Sequence, residues 1–193
     1  QLEVGEANLV PLQVSGPAED RLNLIILGDG YTAEEMDKFR EDVDRNQNYQ
    51  WGVEPFRSYR NYFNVYMLET PSMVSGIRCD PDDPEGGDPD RVTPLRLQFR
   101  GGCTDELARL ITYGPAPESG ECSGVLGDPR CSGAEQRDMY LEKYVEPELG
   151  ISADAQNVQT LVLANTFTYG GAGGVHATTS GGSPQGPLVS THE

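Results

Sequence analysis

Lysine, histidine and tryptophan are scarce in this chain: Lys38 and Lys143, His176 and His192, and one tryptophan are all that 193 residues contain. Lys and Arg together number 14 against 31 Asp and Glu, a formal net charge of −17. Such a chain repels phosphate backbones and anionic lipid headgroups, which excludes nucleic-acid binding as its function. Long apolar runs are also missing. Leu24 to Leu27 and Leu161 to Ala164 are the longest and are far too short to cross a bilayer, so no membrane insertion is expected. Gln1-Leu2-Glu3 lacks the basic, apolar and small-residue succession of a signal peptide, so the numbering is expected to start after any such peptide has been removed. The shortage of histidine restricts catalysis too. A Ser-His-Asp arrangement would have to use His176 or His192, and no Gly-x-Ser-x-Gly nucleophile elbow occurs.

What is abundant is Gly, with 23, and Pro, with 14, the composition of a loop-rich extracytoplasmic protein. Cys79, Cys103, Cys122 and Cys131 form an even set without a C-x-x-C metal spacing, so disulfides are expected. The sequence leaves all three pairings open. Sequential closure, Cys79 with Cys103 and Cys122 with Cys131, is preferred, and each bridge would stabilise by roughly 2–4 kcal/mol.

Periodicity gives the order of elements. Leu9 to Ser15 reads as a strand, and Leu22 to Leu27 as a buried strand ending at Gly28-Asp29-Gly30. Thr32 and Glu35 have capping-box spacing, and a helix from Ala33 to Gln47 follows, with Met36, Phe39 and Val43 on one face and Asp37, Lys38, Glu41 and Asp42 on the other. Tyr62 to Leu68 is the next strand, so the chain opens β-α-β. Further on, the pattern predicts helices over Thr104–Tyr113 and Gly133–Leu149, a strand over Val158–Asn165, an edge strand over Val175–Thr179, and the start of a helix at Pro187.

Four local features are candidates for chemistry. Gly28-Asp29-Gly30 has the form of the first block of Gly-Asp-Ser hydrolases, but Gly30 stands where their nucleophile would be and has no hydroxyl to attack with. Asp80, Asp82, Asp83, Glu85, Asp88 and Asp90 crowd oxygens suited to Ca²⁺ into one loop, although Pro84 breaks the EF-hand spacing. Gly170, Gly171, Gly173 and Gly174 follow a strand without the G-x-G-x-x-G spacing, and would allow a peptide substrate to approach a sheet edge closely. His192-Glu193 is half of an H-E-x-x-H motif, in which two histidines on one helical face hold zinc and the Glu acts as base.

Taken together, Asn23 to Thr32, Tyr59 to Tyr66, Ser75-Gly76 and Tyr169 to Gly174 resemble, in order and spacing, the IgA-peptidase family of secreted bacterial zinc metallopeptidases of the zincin type. The resemblance implies an α/β fold, a zincin-like N-terminal subdomain with a twisted mixed sheet and packed helices. It implies His192 as first zinc ligand, Glu193 as general base, Zn²⁺ as cofactor with Ca²⁺ a second candidate at the acidic loop, and a protein or peptide as substrate. The 193 residues are then one domain, the N-terminal portion of a catalytic domain interrupted at its active-site helix. The second His, the third ligand and the C-terminal remainder would lie outside them, and this chain alone would be inactive. The rival class is a non-catalytic, acidic, calcium-stabilised extracellular binding module.

Overall fold

The computed structural model describes residues 2, 3, 5–83, 87–100, 103 and 109–192. Glu85, residues 104–108 and Glu193 fall outside the described residues. The elements are β1 (Asn8–Gln13), β2 (Leu22–Asp29), α1 (Met36–Gln50), α2 (Phe56–Tyr59), β3 (Phe63–Glu69), β4 (Leu97–Phe99), β5 (Ile111–Tyr113), α3 (Gly133–Tyr140), α4 (Glu146–Leu149), β6 (Val158–Ala164), β7 (Gly171–Ala172), β8 (His176–Ser180) and α5 (Gly186–His192).

The fold is α/β, built on one six-stranded mixed sheet of order β1-β3-β2-β6-β8-β7. β3, β2, β6 and β8 run parallel, and β1 and β7 close the two edges antiparallel. β2 is central because Ile25, Ile26 and Leu27 are buried on both faces, while Leu22 at the start of the strand stays exposed. Ile25 and Leu27 face one core with Leu97, Phe99, Ile111, Tyr140 and Val145, and Ile26 faces a second core with Phe39, Val43, Val65 and Leu163. Each such side chain contributes roughly 1.5–3 kcal/mol on burial.

α1 starts where its sequence signals it. The Thr32 N–H donates to the Glu35 carboxylate at 2.9 Å, and a 3₁₀ turn over Ala33–Glu35 precedes the α-helix proper. One assignment on this helix needs correction, since Asp42 does not lie on the solvent face but is 4% exposed. The expected helix over Thr104–Tyr113 also fails where it can be followed, because Ile111–Tyr113 pairs antiparallel with β4. β-branched and aromatic side chains on a sheet-like surface outweigh a short helical periodicity there, and Thr178 Oγ1 donates to the Ile111 carbonyl at 2.6 Å. The Gly133–Leu149 helix is continuous, with a π-turn over Leu141–Val145 joining α3 to α4, and it stops at Gly150, whose φ of +71° suits a residue without Cβ. Bridges join Cys79 to Cys103 and Cys122 to Cys131.

Candidate active site

The segments separated in sequence meet at the carboxyl end of β2. Asp29 is fully buried there and accepts from Thr93 Oγ1 at 2.6 Å and from the Leu95 and Leu97 N–H groups, each at 2.9 Å. It thereby folds the 93–97 loop around the strand end. Burial pushes its carboxyl up to about 6, against the hydrogen bonds from Thr93, Leu95, Leu97 and Gly30 that hold it down. Because the native state holds this proton more tightly than the unfolded chain does, Asp29 contributes most to stability below pH 4, and its contribution falls as pH rises through about 6. The difference in unfolding free energy between the wild type and Asp29→Asn is therefore expected to fall by roughly 2 kcal/mol from pH 4 to pH 7, measured by urea denaturation. A pH-independent difference would show that Asp29 is ionised throughout.

Gly30 and Gly76 lock the next turn. The Gly76 N–H donates to the Gly30 carbonyl at 2.9 Å, and Asn165 Nδ2 donates to the same oxygen at 2.8 Å. Ser75 Oγ donates to Glu35 at 2.9 Å. Burial raises the Glu35 carboxyl, but bonds from Thr32, Ser75 and Asn165 outweigh it and hold the group below its ordinary value.

Tyr31 carries this corner across to α5. Its ring is fully buried against Phe39, and its hydroxyl donates to Asp42 Oδ2 at 2.8 Å. Arg45 pairs with Asp42 at 2.8 Å and also donates to the Gly181 carbonyl, in the turn between β8 and α5. A Cβ on Gly181 would collide with the Tyr31 hydroxyl. One turn of α1 further on, Asn46 Nδ2 donates to Ser190 Oγ of α5 at 2.7 Å. The Tyr31-Asp42-Arg45 cluster thus fixes the entry to the helix that ends in His192. Sequence reading missed it; the available signal was the i, i+3 spacing of Asp42 and Arg45 behind a buried tyrosine. Tyr31→Phe is expected to lower stability by about 1–2 kcal/mol in urea unfolding, because Asp42 loses a buried donor. An unchanged midpoint would mean that water replaces the hydroxyl.

His192 is exposed at the last position of α5. His176 opens β8, at the other end of that strand from α5, and its Nδ1 lies 2.9 Å from Thr160 Oγ1. Burial, with Arg137 second, pushes its imidazole down. The structure does not bring the two histidines together, and among the described residues no three His, Cys, Asp or Glu side chains are grouped to hold a metal. What the described residues offer a zinc ion is therefore one imidazole, a partial fit.

The glycine segment splits into two parts. Gly170 is buried, and its Cβ would lie 2.5 Å from the Arg109 carbonyl oxygen. Gly171 lies in β7, its N–H donates to Arg109 O at 3.1 Å, and its Cβ would lie 2.7 Å from Val189 Cγ1 of α5. These two are required for packing. Gly173 and Gly174 are exposed. The expectation of an edge strand near Val175–Thr179 needs correction: β8 is interior, and β7 covers it at Thr178 and Thr179. A two-residue strand of Gly and Ala has too little side-chain pattern to be read from sequence.

The acidic loop spends most of its charges internally. Asp80 is buried and accepts from the hydroxyls of Thr166 and Thr168, Asp83 pairs with Arg91 at 2.6 Å, and Asp82 lies 3.4 Å from Arg109. Carboxylates used in this way are not arranged as a calcium cage.

The sequence profile of the family described as IgA Peptidase M64 matches residues 10–109, just over half of the chain, and the chain belongs to that family. Among curated proteins no significant match is found. Membership makes it a protein of a peptidase family, and no helix among the described residues is long and apolar enough to cross a membrane.

Proposed function

We propose that the chain is the N-terminal part of the catalytic domain of a secreted, zinc-dependent endopeptidase acting on proteins or peptides. His192 is the first metal ligand and Glu193 the base that takes the attacking water's proton. The observation that supports this reading is the position of α5: it follows parallel strand β8 and packs, through Val189, on the short antiparallel edge strand β7. The helix carrying His192 then runs beside an edge along which an extended peptide can hydrogen-bond through its main chain. Exposed Gly173 and Gly174 suit that approach, whereas Gly171 already donates to Arg109. The Tyr31-Asp42-Arg45 cluster holds the helix against the sheet and so sets where His192 stands. When bound, zinc would lower the pKa of a coordinated water and polarise the scissile carbonyl. Since catalytic zinc keeps three protein ligands, the others come from the C-terminal remainder of the domain.

The test is metal retention. The 193-residue chain is expected to lose zinc on dialysis and to cleave no peptide. A chain extended through a His at the fourth position after His192 and the third ligand is expected to retain one equivalent by elemental analysis and to hydrolyse peptides until chelated. Chelator-insensitive hydrolysis by the 193-residue chain would place the catalytic centre elsewhere.

A further inference from the structure

Three of the guanidinium groups of this strongly acidic chain line one pocket. It has a volume of about 210 Å³, is walled by Pro89, Pro115 and Pro117, and is lined by Arg78, Arg91 and Arg96. It shares no lining residue with β7 or α5. Arg91 is committed, to Asp83 at 2.6 Å and to the Ile77 carbonyl at 3.0 Å. Arg96 is 7% exposed, and its Nε and Nη2 donate only to the neutral Cys131 and Asp128 carbonyls, at 2.6 and 2.7 Å. Arg78 is half-buried and its Nη groups have no hydrogen-bond partner among the described residues, whereas its Nε is closed off from solvent. Among the described residues, the one carboxylate on the pocket lining is that of Asp90, which is exposed.

The backbone is held out of its easy range to achieve this. Arg96 has φ +53°, in the left-handed region that favours glycine, and sits in the loop that Asp29 pins through Leu95 and Leu97. Arg96, whose nearby charges are Asp29 and Asp128 and whose Nε and Nη2 bonds go to carbonyls, stands beside a second guanidinium with free Nη groups, and together they can receive an oxyanion. Proline walls add no N–H donors, so the guanidinium groups are the recognition elements.

We propose that this pocket is a binding site for a small oxyanion, with Arg78 as its free donor and Arg96 as its buried charge. The shared chemistry is a planar or tetrahedral group with two or more acceptor oxygens. It is supplied either by the C-terminal carboxylate of a peptide or by free inorganic phosphate. The proposal stands independently of the peptidase reading.

Titration calorimetry at fixed ionic strength tests it with three probes: inorganic phosphate, a short acetylated peptide acid, and the same peptide as its amide. Saturable binding of phosphate alone identifies a free-anion site, and binding of the acid but not the amide identifies a peptide carboxylate. In either case Arg78→Gln is expected to weaken binding about tenfold or more, while Arg57→Gln, an exposed residue paired with Glu54, leaves it unchanged. If Arg78→Gln does not fold, ³¹P line broadening of phosphate by the wild-type protein, relieved by the peptide acid, supports the site. Absence of saturable binding by both the phosphate and the acid, or binding indifferent to Arg78→Gln in a folded variant, overturns it.

Discussion

Replacing Glu193 by Gln in a chain that carries the remaining metal ligands is expected to leave zinc content unchanged and to reduce turnover by roughly 10²–10⁴-fold. The amide keeps the size and most of the polarity of the side chain, so the ligand set is untouched. It cannot accept the proton of the attacking water, and that loss falls on kcat. His192→Ala is the complementary change, expected to abolish metal retention and activity together. The pair separates two ways of being wrong. If Glu193→Gln releases zinc, Glu193 is a ligand and the motif has been misassigned. If it retains both zinc and turnover, the base lies elsewhere.

Gly30→Ala is expected to destabilise the fold by about 3 kcal/mol or more, without any catalytic role for the residue. Gly30 has φ +77°, and a Cβ there would lie 2.7 Å from the Gly76 carbonyl carbon, in contact with backbone that cannot swing aside. Gly76 is itself held by its bond to the Gly30 carbonyl, and its own Cβ position lies 3.0 Å from Arg91 Nη1. Gly124 supplies the control, with φ +72° and nothing within 4 Å of a Cβ. Gly124→Ala should cost only the conformational part, about 1 kcal/mol. The excess of the Gly30 variant over the Gly124 variant in urea unfolding at constant m measures the close approach of two backbones. Equal effects would mean that the 76 turn yields. The same geometry accounts for the missing nucleophile, since Gly30→Ser would collide as alanine does.

Local physics made much of the frame legible. Leu22–Leu27 announces the central strand, buried on both faces from Ile25 on with Leu22 exposed, and the Thr32–Glu35 box, with Met36, Phe39 and Val43, announces the amphipathic helix behind it. Both depend on contacts a few residues apart or on a repeat of period two or 3.6, which any short window contains. The proposed roles of His192 and Glu193 rest on a similarly local signal, because metal chemistry restricts the residue types available. Asp42 was misplaced because a polar residue beside an apolar stripe looks solvated until a buried partner is known. Arg45 lies one turn away on the same helix, but Tyr31 becomes a partner only when α1 lies over the sheet, and Arg45 reaches the Gly181 carbonyl only when that turn arrives from β8.

The sequence by itself therefore determined the order and kind of most main elements and the family to which the motifs belong. Only the tertiary structure decided that β7 rather than β8 is the edge, that Ile111–Tyr113 is strand, and that Asp29 organises the 93–97 loop. It alone gathered Arg78, Arg91 and Arg96 around one pocket. The physical reason is common to all of these. Each is settled by burial, hydrogen bonding or charge between groups that the chain brings together across long separations, and no local preference encodes which distant group will arrive.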